Sequence, residues 1–267
     1  MEKKKASYQL KSFNLWKDSV TSGLAIFGII SAVVSFWGTS ISGVFNSDVI
    51  SAGITALTLV ASYIMAVLWK WLYTKDRISL RIRGINVTVR QGDIFKQKGW
   101  KVIGTDDAFN TSEDDAVISH LSLHGKLLKI LRDNNQLEAF KRVVSSGEQT
   151  VPIGSVKTYE DYILLAWTHF DCNNEAHIKY SNYESILRRM WHEISRVYSG
   201  RAVYLPVLGD GITRFDDISE KPSSFDLIRC MLCTLKTSNV QLKASVTILI
   251  YDRINEINLY DLKRISE

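Results

Sequence analysis

Two stretches without a charged side chain constrain this 267-residue chain more than any other feature. No Asp, Glu, Lys or Arg occurs between Asp18 and Asp48, and none occurs between Asp48 and Lys70. The first stretch offers a predominantly apolar span over 20–40 and the second a span over 49–69. As helices rising ~1.5 Å per residue, each reaches across the ~30 Å hydrocarbon core of a bilayer. Gly43, Asn46, Ser47 and Asp48 mark a turn between them that carries no Lys or Arg. Lys3, Lys4, Lys5, Lys11 and Lys17 precede the first span, and Lys70, Lys75, Arg77, Arg81 and Arg83 follow the second. This asymmetry predicts a transmembrane hairpin with both ends in the cytoplasm and the turn outside. The competing readings are two buried helices of a soluble domain and a cleaved signal peptide, which wants a shorter apolar core and a small-residue cleavage site.

Small and hydroxyl residues recur at helical spacing in both spans: Gly23, Gly28, Ser31 and Ser35 in the first, Ser51, Thr55, Thr58 and Ser62 in the second. Such residues let membrane helices approach closely and hydrogen-bond across their interface, within one hairpin or between hairpins of several chains. Trp37, Trp69, Trp71 and Tyr73 fall near the expected interfaces, as aromatic belts do.

The net charge of +5 does not mark a nucleic-acid binder, because of where it sits. Residues 1 to 84 carry ten Lys/Arg against four Asp/Glu, which leaves the rest of the chain net −1. A nucleic-acid module shows its positive excess on the folded domain. Here the excess flanks an apolar region, so no nucleic-acid partner is expected. The three cysteines, Cys172, Cys230 and Cys233, form no small-scaffold pattern and fit a reducing compartment.

From residue 84 onward strand and helix signals alternate. Ile85, Val87 and Val89 alternate with polar residues, and Lys101 to Gly104 reads as a second strand. A polar, acid-rich loop, Thr105 to Asp115, precedes the turn Ser122-Leu123-His124-Gly125 and a helical region ending near Ser145. Tyr162 to Thr168 is a buried-strand run, Tyr183 to Tyr198 an amphipathic helix, Ala202 to Leu208 a strand, Ser224 to Thr237 a helix and Val246 to Tyr251 a closing strand. Such alternation predicts an α/β sheet with helices on both faces and its ligand outside the strand ends.

Leu205-Pro206-Val207-Leu208-Gly209-Asp210-Gly211-Ile212 joins an apolar run to a glycine-paired turn. Without Cβ atoms at Gly209 and Gly211, successive backbone amides can approach an anion such as a diphosphate. The stretch resembles the second phosphate loop of macro domains, and Gln91-Gly92-Asp93-Ile94 resembles their Gly-Asp-Ile. The two-span hairpin ahead of such a domain, with Thr105-Asp106-Asp107-x-Phe109 and Ile118-Ser119-x-Leu121-Ser122-Leu123-His124-Gly125, is similar to the membrane-anchored macro-domain effectors of the Thoeris antiphage system.

The resemblance implies a fold of an N-terminal two-helix transmembrane hairpin followed by an α/β macro-like domain, a mixed sheet with helices on both faces. It divides the chain into a cytoplasmic segment over 1–18, a hairpin over 19–70, a basic connector over 71–83 and a nucleotide-sensing domain over 84–267. Asp93 and Ile94 would hold an adenine, and the amides of Gly209, Asp210, Gly211, Ile212 and Thr213 would cradle a diphosphate. Arg214 would offset its charge, Phe215 would lie against ribose or base, and Ser122, Leu123, His124 and Gly125 would stand for the first phosphate loop. That loop lacks the family's three glycines, and Thr105-Asp106-Asp107 replaces the Asn pair of hydrolytic members. No catalytic residue, metal or cofactor is therefore expected. A carboxylate beside a diphosphate, as at Asp210, is costly unless it turns away or meets a cation. An amino-acid appendage on the ligand, met by Asp106, Asp107 or Asp210, would meet that condition. The resemblance implies the same: an ADP-ribose derivative, a histidine conjugate made by a TIR-domain partner. It further implies a protein of the bacterial inner membrane, with its N-terminus and macro-like domain in the cytoplasm. That protein would self-associate into homo-oligomers and disrupt the lipid bilayer, causing abortive infection. A membrane-tethered ADP-ribosyl hydrolase and an ADP-ribose-binding scaffold are the alternatives.

Cys230-x-x-Cys233 with His169-x-x-Cys172 offers four zinc-ligand types. Leu227, Ile228, Met231, Leu232 and Leu235 surround the cysteine pair at helical spacing, which makes small core residues the simpler reading. His120 and His124 stand four apart without the glutamate of a metalloprotease helix.

Overall fold

The computed structural model of the chain describes residues 9–36, 48–112, 117–144, 150–252 and 254–265. The far end of the first expected span, Trp37, most of the turn between the spans, the first lysines and residues 113–116 of the acidic loop lie outside the described residues. The chain divides into two units, Met1–Ile78 with Asn255–Arg264, and Ser79–Ile254 with Ile265–Glu267.

In the first unit, α1 (Phe13–Phe36) and α2 (Asp48–Thr74) are both long and apolar enough to cross a membrane. They meet along small residues. A Cβ on Gly23 would stand 2.9 Å from the Cα of Tyr63, so glycine is what permits this backbone approach, and Ser19 and Ser62 are buried in the seam. Five of the hydroxyls bond within their own helix. Ser19, Thr55, Thr58, Ser62 and Thr74 each donate to the carbonyl four residues back, within their own helix. Inside an apolar surround the backbone carbonyl one turn back is always within reach, whereas a partner across the seam needs a matching register. The outward faces are apolar and uncovered, with Ile29, Phe36, Val49 and Leu57 between 65% and 86% exposed.

The base of this pair is closed by a late piece of sequence. Tyr260 and Arg264, from a 3-10 helix over Leu259–Ile265, donate to the two oxygens of Asp18 at 2.7 and 3.0 Å. Asp261 accepts from Ser12 and Asn14 at 2.6 and 2.9 Å, and Leu15, Val67 and Tyr260 form a small apolar cluster. Nothing in the local pattern of residues 255–265 announces this.

The second unit is a mixed α/β fold built on a nine-stranded sheet in the order β1-β2-β9-β7-β3-β5-β6-β8, with β4 paired to β5. The strands are β1 (Arg77–Ile82), β2 (Ile85–Gln91), β3 (Trp100–Asp106), β4 (Val156–Tyr159), β5 (Tyr162–Phe170), β6 (Ala176–Ile178), β7 (Val203–Pro206), β8 (Arg214–Phe215) and β9 (Val246–Ile250). β2, β9, β7, β3 and β5 run parallel, and β4 and β6 pair antiparallel with β5. β1 lies in the stretch read from sequence as a basic connector. Its alternating burial and the Arg83-Gly84 turn, with φ of 48° and 83°, make it half of a tight hairpin with β2.

Helices cover both faces. Alternate residues of the central strands, Ile103, Leu164 and Ala166, pack with Leu127, Leu131 and Phe140 of α3 (Leu123–Asp133) and α4 (Leu137–Val144). On the opposite face Trp167 meets Tyr183 of α5 (Tyr183–Val197), and α5 packs on α6 (Ser224–Thr237) through a hydrogen bond from buried Trp191 to Thr234. The single helical region expected to end near Ser145 is two helices, because Asn135 adopts a left-handed φ of 56° between them. On α6, Met231 and Leu232 are buried as the spacing required, but Cys230 is only half-buried and Cys233 is exposed. The cysteine pair therefore stands beside the core stripe and not within it.

Candidate functional site

The carboxyl ends of parallel β3 and β5 open into a cleft, as expected where strands of such a sheet end. Thr105 and Asp106 from β3, Ser122 and His124 from the start of α3, and Ile212 and Thr213 from the glycine-paired loop all line it. Six of the residues singled out from sequence, drawn from three separate segments, thus share one wall. Its internal volume of about 160 Å³ is below the roughly 300–1,000 Å³ of sites that engulf a drug-sized ligand. A nucleotide-sized ligand would be enclosed only in part.

The loop after β3 is held by Asp106. Its two oxygens accept from the amides of Ala108 and Asn110 at 3.1 and 2.9 Å, just past a β-bulge at Thr105/Asp106. Phe109, at a φ of 52° that costs a non-glycine residue energy, is buried in the core as the loop's anchor. Thr105-Asp106-Asp107-x-Phe109 therefore reads as a stapled turn. Burial pushes the Asp106 carboxyl up, and the amides of Asn110 and Ala108 pull it back in part. Asp107 is half-exposed and is not on the cleft wall.

Ser122 caps α3. Its hydroxyl accepts from the amide of Gly125 at 2.9 Å and donates to the carbonyl of Ser119 at 2.7 Å. A Cβ at Gly125 would stand 2.3 Å from that same carbonyl oxygen, so this glycine seats residues 119–120 across the first helical turn. Leu123 packs toward the core. His124 is buried at the wall, and burial pushes its imidazole down to about 4, so it is neutral at physiological pH.

The glycine-paired loop rests on aromatic rings. Gly209 has a φ of 87°, and a Cβ there would stand 2.9 Å from the ring of Phe215. Phe215 in turn meets Tyr180 and Tyr183 edge-on. Tyr183 donates to the carbonyl of Leu208 at 2.9 Å, and Trp167 donates to Thr213 at 3.3 Å. Phe215 thus supports the loop from beneath. Asp210 turns away from the cleft: its carboxylate accepts from Ser224, the first residue of α6, at 2.7 Å, where the helix N-terminus favours negative charge. Lys221 donates to the carbonyls of Asp210 and Gly211 at 2.9 and 2.5 Å. Around Gly211 there is open space. Arg214 pairs with Glu175.

Asp93 and Ile94 are not on the cleft wall. Ile94 is buried in the core, and Asp93 caps a short 3-10 turn by accepting from the amide of Phe95 at 3.0 Å. Gly92 is tied at 3.0 Å to Ile250 at the end of β9. Sequence reasoning passed over Trp167, Tyr183 and Lys221, which act on the glycine loop from 11 to 46 residues away.

Residues 87–251 match the family model described as Thoeris protein ThsA, Macro domain. A curated protein of Bacillus amyloliquefaciens (strain Y2), named Thoeris protein ThsA, is 28% identical over 96% of this chain and 91% of its own length. Among solved structures, a mutant macrodomain of Oceanobacillus iheyensis aligns at 14% identity and a TM-score of 0.42, over 71% of this chain and 93% of its own. The Oceanobacillus iheyensis macrodomain with ADP aligns at 14% identity and a TM-score of 0.41, over 71% and 96%.

Proposed function

Because the chain belongs to the Thoeris ThsA macro-domain family, we propose that it is a membrane-anchored antiphage defence effector whose macro domain senses an ADP-ribose-derived signal. The observation that carries this reading is the convergence of Thr105, Asp106, Ser122, His124, Ile212 and Thr213 on one cleft at the strand ends. The open loop at Gly211 receives the diphosphate through its amides. Of the three acids considered for an appendage, Asp210 is turned to Ser224 and Asp107 stands off the wall. Asp106, on the cleft wall with its oxygens held by the amides of Ala108 and Asn110, is the remaining acid for an amino-acid group; the signal in this reading is a histidine conjugate of ADP-ribose supplied by a TIR-domain enzyme.

Binding acts without turnover. It favours a self-associated form, gathers the hairpins of several chains in the inner membrane and breaks its integrity, which produces abortive infection. A ligand achieves this only as far as it binds the assembled form more tightly.

The test is calorimetric titration of the detergent-solubilised chain with ADP-ribose and with its histidine conjugate, light scattering on the same samples, and dye release from liposomes. Preferential binding of the conjugate, with a mass increase and leakage, is the expected result. Gly211→Glu places a carboxylate in open space at the diphosphate loop and abolishes binding with little effect on the fold. Turnover of the conjugate would favour the tethered hydrolase, and binding without assembly the scaffold.

A further inference from the structure

Past the cleft, β5 ends in a turn that sets three side chains facing one another. Asp171 Oδ1 accepts from the amides of Asn173 and Glu175 at 2.9 and 2.8 Å, and this folds Asp171 and Glu175 toward His177 on β6. Their ligand-capable atoms all lie within 4.8 Å of one another. His177 Nε2 stands 3.6 Å from Asp171 Oδ2 and 3.8 Å from Glu175 Oε2, too far for hydrogen bonds. Yet Nε2 is shut off from solvent, with no hydrogen-bond partner. A buried nitrogen left unsatisfied between two carboxylates needs an explanation.

The rest of the cluster supplies one. Asp216 holds Nδ1 of His177 at 2.5 Å, the carboxylate–histidine arrangement that fixes the tautomer and aims the other nitrogen at a metal ion. Arg214 engages Glu175 through Oε1, which leaves Oε2 facing His177. Three carboxylates, Asp171, Glu175 and Asp216, thus gather around one guanidinium and the His177 imidazole, a surround of negative charge that favours a divalent cation. Around a tetrahedral ion with bonds of ~2.0–2.1 Å, neighbouring donor atoms stand roughly 3.4 Å apart. The observed 3.6 and 3.8 Å spacings are within a few tenths of an ångström of that geometry.

We infer that Asp171, Glu175 and His177 form a three-ligand site for a divalent transition-metal ion, with Asp216 as its positioning residue. One imidazole with two carboxylates suits Zn2+ or Mn2+. The fourth position is left to water or to an oxygen of a ligand. Asn174 and Ala176 of the same turn line the cleft, so that position adjoins it. The site stands on its own geometry and does not depend on the nature of the signal.

The experiment uses the full-length chain in detergent, stripped with chelator, dialysed and titrated calorimetrically with Zn2+ and, separately, with Mn2+. One ion per chain is expected for at least one metal. Affinity should fall at least 100-fold in His177→Ala and Asp171→Asn, and ~10–100-fold in Asp216→Asn. His169→Ala, which removes a ring 6.2 Å from that of His177, should leave it unchanged. As a readout that needs no variant to fold, imidazole nitrogen NMR of the wild type should show Nε2 of His177 shifting on metal addition while Nδ1 stays protonated. Absence of stoichiometric binding by both ions, equal affinity in His177→Ala, loss of binding in His169→Ala, or a shift confined to Nδ1 would each overturn the assignment.

Discussion

The two apolar helices and the sheet domain draw on the same side chains and turn them in opposite directions. In β9, Val246 to Ile250 are buried at every position. In α2, Val49 and Leu57 are 82% and 69% exposed, and in α1 Ile29 is 65% exposed. A domain bathed in water closes its Leu, Ile and Val inward. The hairpin buries Ser19, Gly23 and Ser62 together with Leu15 and Val67, and leaves Ile29, Val33, Leu57 and Leu68 exposed, a pattern that suits lipid.

The sharpest way to break this contrast is a pair of truncations. Phe140→Ala removes a fully buried ring from the domain core and should cost about 3–5 kcal/mol. Leu57→Ala on the outward face of α2 should change the domain's unfolding by less than about 0.5 kcal/mol. Urea unfolding of the detergent-solubilised chain, followed by the domain's tryptophans, measures both. Equal costs would mean that α2 is a core helix and that its outer face is covered in solution.

A second expectation concerns the one strongly shifted imidazole at the cleft. The unfolded chain protonates His124 near 6.5, and the folded chain only near 4. Between those values the unfolded state binds the additional proton. The contribution is therefore present above pH 6.5 and is lost as pH falls toward 4, by about 3 kcal/mol in all. The difference in urea stability between wild type and His124→Asn, taken at pH 7.5, 5.5 and 4.5, reads this directly. A pH-independent difference would show that the ring is solvated.

A smaller loss than that at His124 is expected at the base of the hairpin, where hydrogen bonds act near the end of the spans. Tyr260→Phe deletes the donor to Asp18 while keeping the ring in its cluster with Leu15 and Val67, and should cost roughly 1–2 kcal/mol. It should lower the melting temperature of the helical signal and leave ligand affinity unchanged. An unchanged melt would place no weight on the link between residue 260 and α1.

Much of this architecture was legible because its signals are local. Charge-free runs announced α1 and α2, alternation announced β2, and continuous apolar runs announced β5 and β9. The short strands β6 and β8 were not legible. At three and two residues they are defined by their partners and not by any periodicity of their own. The break between α3 and α4 was written in Asn134-Asn135, a turn signal masked by the apolar positions on either side. The cleft was legible in its loops, since Asp106, Ser122 and the Gly209–Thr213 stretch carry recognisable turn chemistry. Its supports were not. Nothing near Trp167 says that its indole will meet Thr213, nor anything near Lys221 that its ammonium will hold two carbonyls of the glycine loop. The closure of the hairpin by residues 259–264 was illegible for the same reason, only more so, because its pairings span 242 to 249 positions.

That closure also sets an order in time. A ribosome makes α1 and α2 well before Tyr260 and Asp261, at about 5–20 residues per second. For the roughly ten to forty seconds in between, Asp18, Ser12 and Asn14 stand at the end of the apolar pair without the partners that complete them. The part of the chain suited to the membrane is thus synthesised before the sheet domain and finished after it, and a nascent chain acquires its complete hairpin only once residues 79–254 exist.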